Sequence, residues 1–356
     1  MKEIRIYGQW DHDLAAVGKK YGGDINAHSH LDRANTFTKE HFAHVNISPT
    51  QAASFSLRVK QDFTGNLHDG LAYQPEDLRE RMEREIERAI SLGTKELISF
   101  IDVSPDIGLR ALEIAIGLRE KFQTRIKFRL AAYPIFGINK PERWEIFKEA
   151  AKMADLLGGL PSRDAREEGS EGADESIRKM ILLSQERGKE IHFQLDQNND
   201  PDESETERLV HAVHWLKSPK VEGVEGPTVW AIHVISPSCY DESRFQKLVE
   251  GMLKEKIGVV CCPSAAISMR QMRNKLTPTH SSVARILDFM EAGIPVRIGT
   301  DNIGDVFIPS GDGKIASEVW LASNLLRFYD VSVWAKVCAG VPLNNIDRDL
   351  IKHSRS

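Results

Sequence analysis

Asp24-Ile25-Asn26-Ala27-His28-Ser29-His30 joins a short apolar run to two histidines one residue apart. Side chains at i and i+2 of a strand point to the same face, so this spacing predicts two imidazoles side by side at the carboxyl end of a buried strand. Two neutral imidazoles held that way make half of a metal site. Residues of the same chemistry recur in similar settings: His192 in Ile191-His192-Phe193-Gln194, His233 in Trp230-Ala231-Ile232-His233-Val234, and Asp301 after Ile298-Gly299-Thr300. Each alone reads equally well as a hydrogen-bonded core histidine or, for Asp301, as a helix cap. Together, at the same end of their strands, imidazoles and a carboxylate suit a borderline divalent ion, Zn2+ or Fe2+, with one position left open. Such an ion lowers the pKa of its bound water from about 15.7 toward 7. His233 and the free oxygen of Asp301 are the groups placed to take up that proton.

The elements that must position these residues alternate regularly. Apolar, β-favouring runs at 25–27, 96–103, 127–133, 156–160, 190–195, 228–235, 258–263 and 296–299 predict eight strands. Helical periodicity follows at 76–92, 107–122, 142–153, 175–187, 203–216, 242–255, 283–292 and 316–328, with a further helix at 14–21 ahead of the first strand. Eight βα units predict an α/β chain closed into a (β/α)8 TIM barrel, with the metal site at the carboxyl ends of the strands. A doubly wound open sheet is the alternative, but no Gly-x-Gly-x-x-Gly follows the first strand. The expected organisation is one domain over residues 1–356: a cap at 1–22 that includes a strand-like piece at 4–7, a long irregular loop at 34–75, and a tail at 341–356. A loop of that length beside a site reads as a lid or specificity segment.

Composition narrows the partners. A net charge of −5 without a Lys/Arg-rich run argues against nucleic acid, and no apolar run approaches the roughly 20 residues of a membrane span. The start of the chain lacks the apolar core of a signal peptide, so the expected compartment is the cytoplasm. Cys239, Cys261, Cys262 and Cys338 show no Cys-x-x-Cys spacing and read as buried free thiols. The expected partner is a small-molecule substrate, with a homo-oligomer left open.

His28-Ser29-His30, His192, His233 and Asp301, in that order on strands one, five, six and eight, resemble the metal-dependent amidohydrolase superfamily. Local patterns narrow the likeness to the branch of cytosine deaminase and N-isopropylammelide amidohydrolase. They are His30-Leu31-Asp32, Asp102-Val103-Ser104, Ala132-Tyr133-Pro134 with Gly137, and Asp301-Asn302-Ile303 with Asp305, Pro309, Gly311 and Gly313. The similarity spans about residues 23–340. It implies hydrolysis of a C–N bond, by deamination of an amino-heterocycle or opening of a cyclic amide. It also implies one metal ion per chain held by His28, His30, His192 and Asp301, with His233 as catalytic histidine. Strand four offers no lysine for a second metal.

Several positions depart from the branch pattern. The glutamate expected three residues after the strand-five histidine is missing, and Gln194, Leu195 and Asp196 follow His192 instead. A pyrimidine-reading glutamine is matched by Ile135, Arg33 stands where the ammelide enzyme has lysine, and the accessory β-sandwich has no counterpart. Arg33, Gln194, Asp196 and Asn302 are the expected substrate contacts. Asp196 would share a face with residues 192 and 194 if the strand continued; otherwise it forms the turn into the next helix. Met269-Arg270-Gln271-Met272-Arg273 is either a solvated helix start or a site for a substrate carboxylate or phosphate. A metal-dependent lyase such as a decarboxylase, or a barrel that binds without turnover, are the competing readings. An adenosine-deaminase-like site fits less well, because His192-Phe193-Gln194-Leu195 and Asp301-Asn302 replace its His-Ala-Gly-Glu and Asp-Asp.

Overall fold

The computed structural model describes residues 9–269, 274–277 and 283–354. Eight strands run in sequence order around one parallel sheet: β1 (Asp24–Ser29), β2 (Thr94–Asp102), β3 (Lys127–Tyr133), β4 (Leu156–Gly159), β5 (Ile191–Leu195), β6 (Val229–His233), β7 (Gly258–Cys261) and β8 (Val296–Ile298). The seam between β8 and β1 is bridged by Ser29 and Asp301. There Asp301 N–H donates to His28 O at 2.9 Å and His30 N–H donates to Asp301 O at 3.2 Å. With helices between the strands, this is a (β/α)8 barrel.

The strands read as mostly apolar runs because both of their faces are buried. Ile98, Phe100, Ala131, Tyr133, Trp230, Ile232 and Val260 fill the barrel interior. Their neighbours Leu97, Ile101, Leu130, Ala132, Ala231 and Val259 pack outward against the helices. Gly158 on β4 makes room for this filling, since a Cβ there would lie 2.7 Å from the Phe100 ring. The helix Pro75–Ser91 shows the outer layer's logic: Leu78, Met82, Ile86 and Ala89 form its buried stripe and Pro75 opens its first turn.

Residues 34–75 depart from the irregular loop that the pattern suggests, because they carry helices at Pro49–Ala53 and Leu57–Asp69 and a 3-10 turn at Leu71–Tyr73. Ser48 and Ser56 cap the two helices, accepting from Gln51 N–H and Val59 N–H. The second buries Gln61, Thr64 and His68 alongside Phe63 and Leu67. A half-polar buried face hides the apolar periodicity that marks other helices. The helix predicted from 175 starts at Pro161 and bends at Gly169, where φ is 68°. The tail forms a helix at Asn345–Ser354. Helix Gln9–Lys20 packs on helix Val331–Cys338 beside the amino-terminal end of the barrel, where Lys95 Nζ bonds Tyr21 O and Ala339 O. The strand-like piece at 4–7 lies outside the described residues. No described helix is long and apolar enough to cross a membrane.

Candidate metal centre

Three local irregularities turn side chains toward the carboxyl end of the barrel. On β1 the pairing register with β2 shifts between Asn26 and Ser29, after the inward Ile25 and Ala27. A bulge there re-aims the residues that follow it, and the His28 and His30 rings lie 4.9 Å apart between centroids. On β6, Trp230 and Ile232 face the interior, so strict alternation would turn His233 outward. Left-handed backbone at His233 (φ 75°) and Val234 (φ 49°) brings its ring to 5.6 Å from that of His28. After β8, Asp301 is left-handed too (φ 57°). Non-glycine residues in that region cost about 1–3 kcal/mol each, and such strain clusters at functional sites.

His28, His233 and Asp301 each offer a donor atom, and these atoms all lie within 4.8 Å of one another. Asp301 Oδ1 stands 3.3 Å from His28 Nε2 and 3.4 Å from His30 Nε2. Both ring nitrogens of His233, and Nδ1 of His28 and His30, are buried without a hydrogen-bond partner. Buried polar atoms left so cost free energy unless something satisfies them, and a ring of imidazole nitrogens around a carboxylate is what a divalent cation would satisfy. Burial pushes His233 down to about 4 and His30 well below the usual imidazole range, so both rings are neutral ligand-type groups at pH 7. Burial opposes the charge of Asp301, but His28, His233 and Arg33 outweigh it and hold the carboxyl below its ordinary value. The donor set therefore fits the ion that the sequence implies, with His28, His30 and Asp301 as the residues able to hold it and His233 beside them.

His192 is not brought to this cluster. It faces the barrel interior one layer deeper, with Nε2 3.5 Å from Glu190 Oε2 and its ring 5.8 Å from Trp230 and 6.1 Å from Phe100. Register accounts for this placement, and His192 Nδ1 is, like the ring nitrogens of the cluster, buried without a hydrogen-bond partner. His192 pairs with Trp230, whereas Leu195 pairs with His233, so the end of β5 lies three residues beyond His192. The inward position nearest the mouth is Gln194, whose Nε2 sits 3.4 Å from His30 Nε2. Asp196 is likewise turned away. Its carboxylate accepts from Glu205 N–H (2.8 Å) and Thr206 N–H (3.0 Å), while Glu205 Oε2 accepts from Asp196 N–H (2.9 Å). That reciprocal arrangement caps the start of helix Glu205–Leu216.

Above the cluster opens a cavity of about 650 Å3, whose walls include His30, Arg33, Tyr133, Gln194, Gln197, His233, Asp301 and Asn302. Asn302 Oδ1 is buried there without a partner. Arg33 Nη1 lies 3.1 Å from both oxygens of Asp102, and its guanidinium covers the Phe307 ring. Asp102 also receives Tyr73 Oη–H (2.9 Å) and meets His68 Nε2 (3.3 Å), while its N–H donates to Asp32 (2.8 Å). His30, Asp32 and Asp102 form a second close group of donors, but Arg33 already supplies its positive charge. Sequence reasoning missed His68 and Tyr73 in this network, because they sit on the helices inside 34–75. Met269 lines the cavity, and the remainder of the 269–273 run lies outside the described residues.

A (β/α)8 barrel thus sets histidine and aspartate donors at the carboxyl ends of β1, β6 and β8 in an arrangement able to hold a divalent cation. No family model matches the chain. An uncharacterized protein of Haemophilus influenzae is 31% identical over 264 residues, which cover 74% of this chain and 89% of that protein. A pterin deaminase of Rhizobium rhizogenes is 23% identical over 288 residues (80% of this chain, 60% of the relative). N-isopropylammelide isopropyl amidohydrolase of Pseudomonas sp. (strain ADP) is 24% identical over 335 residues (91% and 73%). Among solved structures, 5-methylcytosine deaminase from Klebsiella pneumoniae superposes with a TM-score of 0.73 at 22% identity (93% and 82%), a likeness of fold. The two relatives whose names carry an activity, a deaminase and an amidohydrolase, are thus similar to this chain at 23% and 24% identity, and the (β/α)8 fold is shared with the 5-methylcytosine deaminase.

Proposed function

We propose that the protein is a metal-dependent hydrolase that cleaves a non-peptide C–N bond, deaminating an amino-substituted heterocycle or opening a cyclic amide. The observation that carries this reading is the convergence of His28, His233 and Asp301 on one point under a cavity of about 650 Å3, a volume suited to a heterocycle. One divalent transition ion per chain, Zn2+ or Fe2+, would be held by His28, His30 and Asp301 with His233 alongside. When bound, it supplies Lewis acidity and a hydroxide nucleophile at neutral pH. The chain's own groups do the rest. Asp301 is ionised and His233 neutral, so either can accept a proton at pH 7. Gln194 presents an amide that can orient a ring nitrogen or carbonyl, and Asn302 offers an unsatisfied oxygen to an exocyclic N–H. Arg33 is anchored by Asp102 and presents fixed positive charge to a carbonyl-rich face.

The test is a screen of metal-loaded protein for ammonia release across aminopyrimidines, aminotriazines and pterins, with metal content measured in parallel. Release of ammonia that disappears on chelation supports the reading; metal-loaded protein inert to the whole panel argues against it. One observation favours a second reading. The described cavity wall just after β5 presents the neutral amides Gln194, Gln197 and Asn198 where hydrolysis of an amino-heterocycle would use an acid, and the Asp200 carboxylate beyond them is ion-paired with Lys275. A metal-dependent decarboxylase needs no such group, and CO2 release from carboxylated heterocycles would single it out.

A further inference from the structure

The flank of the cavity formed by helix Leu57–Asp69 carries a concentration of positive charge that the metal cluster does not use. Arg58 and Lys60 line the cavity wall with Gln61. Arg58 is exposed there and has no hydrogen bond or ion pair among the described residues. Lys60 Nζ donates to Phe307 O at 3.2 Å, which holds its ammonium beside the opening. Behind Gln61, Arg166 donates from Nη2 to Gln61 Oε1, while its Nη1 is buried with no hydrogen-bond partner. The nearest acid to that nitrogen is Asp62 at 3.8 Å, and Asp62 is already ion-paired with Arg163. Arg163 and Arg166 thus share the one Asp62 carboxylate, with Arg58 and Lys60 beside them on the same flank. Burial and the like charges of Arg163 and Arg58 outweigh Asp62 and bring Arg166 down to about 10.

We propose that this flank is an anion subsite: the substrate carries a carboxylate or phosphate that seats on Arg58 and Lys60, with Arg166 supporting from behind Gln61. Guanidinium and ammonium donors bind anionic oxygens through charge-assisted hydrogen bonds. The subsite lies in the same cavity as the metal cluster, so one molecule can present its reacting ring to His28, His233 and Asp301 while its anionic group contacts helix Leu57–Asp69. The inference rests on reading the cavity as a substrate site, and it narrows that substrate to anionic heterocycles.

Matched probes test it by calorimetry on the metal-loaded protein: cytosine against 5-carboxycytosine, and pterin against pterin-6-carboxylate. Inorganic phosphate is titrated separately against melting temperature. At least one carboxylate is expected to bind about 10- to 100-fold more tightly than its neutral partner, the scale of one or two charged hydrogen bonds. That ratio should collapse in Arg58→Ala, shrink in Arg166→Gln, and fall with added salt. Equal affinity within both pairs, or an unchanged ratio in Arg58→Ala, overturns the subsite and leaves the hydrolase reading standing. If no heterocycle binds, yet phosphate raises the melting temperature of the wild type and not of Arg58→Ala, the subsite stands and the amino-heterocycle reading falls. Equal phosphate response in both proteins with no heterocycle bound overturns the subsite.

Discussion

Replacing His192 by alanine is expected to cost stability and spare metal binding. The imidazole is fully buried on β5, packed between Phe100 and Trp230. Truncation removes the whole ring from a filled barrel interior, and large-to-small changes of that kind cost about 3 kcal/mol. Glu190 does not become an orphaned charge, because Arg129 Nη2 stays 2.8 Å from its carboxylate, so the larger penalty for breaking a buried pair does not apply. At the usual unfolding entropy per residue, a chain of this length moves about 1–2 °C per kcal/mol, which gives a fall in Tm of about 3–6 °C. Elemental analysis of dialysed protein should still find one ion per chain. Gln194→Ala reverses the pattern: little change in Tm, but altered retention of the metal or of bound substrate, since Gln194 is the inward residue nearest His30. If His192→Ala loses its ion while Tm stays within about 1 °C of wild type, the placement of His192 one layer below the mouth is wrong, and the ligand set predicted from sequence is restored.

Three further outcomes are expected. His233→Asn should retain the ion and lower kcat about 100-fold or more, the scale of a general acid-base group; loss of the ion in that variant would make His233 a ligand instead. Burial alone would lower His68, but Asp102 and Asp106 hold it up at about 9, so its contribution is complete below about pH 6.5 and lost as pH rises through 9. Wild type should therefore lose up to about 3 kcal/mol relative to His68→Gln over that window in denaturant titrations, and parallel curves would exclude the charged His68. Asp196→Ala should cost about 1–2 kcal/mol through the lost cap of helix Glu205–Leu216 and leave the KM of any substrate found unchanged, whereas a selective fall in kcat would return Asp196 to the mouth.

What was legible in the sequence follows from which signals are local. Each strand buries one row of side chains against the barrel interior and the other against helices, so Leu97 to Ile101, broken only by Ser99, and Val229 to Ile232 read as near-continuous apolar runs, and the count of eight comes directly from such runs. Asp301 is legible for a similar reason: it follows β8 at once, and its backbone bonds to both His28 and His30 close the seam. The helices inside 34–75 were not legible, because Gln61, Thr64 and His68 lie buried beside Phe63 and Leu67, and a polar residue on a buried face looks the same in sequence as one on a solvated face. With those helices went His68 and Tyr73, whose roles depend on meeting Asp102 about 30 residues away in the chain.

The histidines themselves show where local reading stops. His28, His192 and His233 all sit on apolar strands near an expected carboxyl end, and nothing in the flanking residues separates them. What separates them is pairing. β5 continues for three residues past His192 because Leu195 finds His233 as its neighbour, and two residues along a strand amount to about 6.6 Å, more than the 4.8 Å that spans the donor atoms of His28, His233 and Asp301. The same register leaves an amide, Gln194, at the height where an imidazole was expected. His233 moves in the opposite sense: alternation from Trp230 and Ile232 would turn it outward, and only its left-handed backbone, shared with Val234, brings it to the cluster. The chemical type of a donor is thus readable from one residue, while its depth and face are decided by the partner strand and by backbone strain. Assigning this centre therefore has to start from the inward residue at the end of each strand, which on β5 is Gln194.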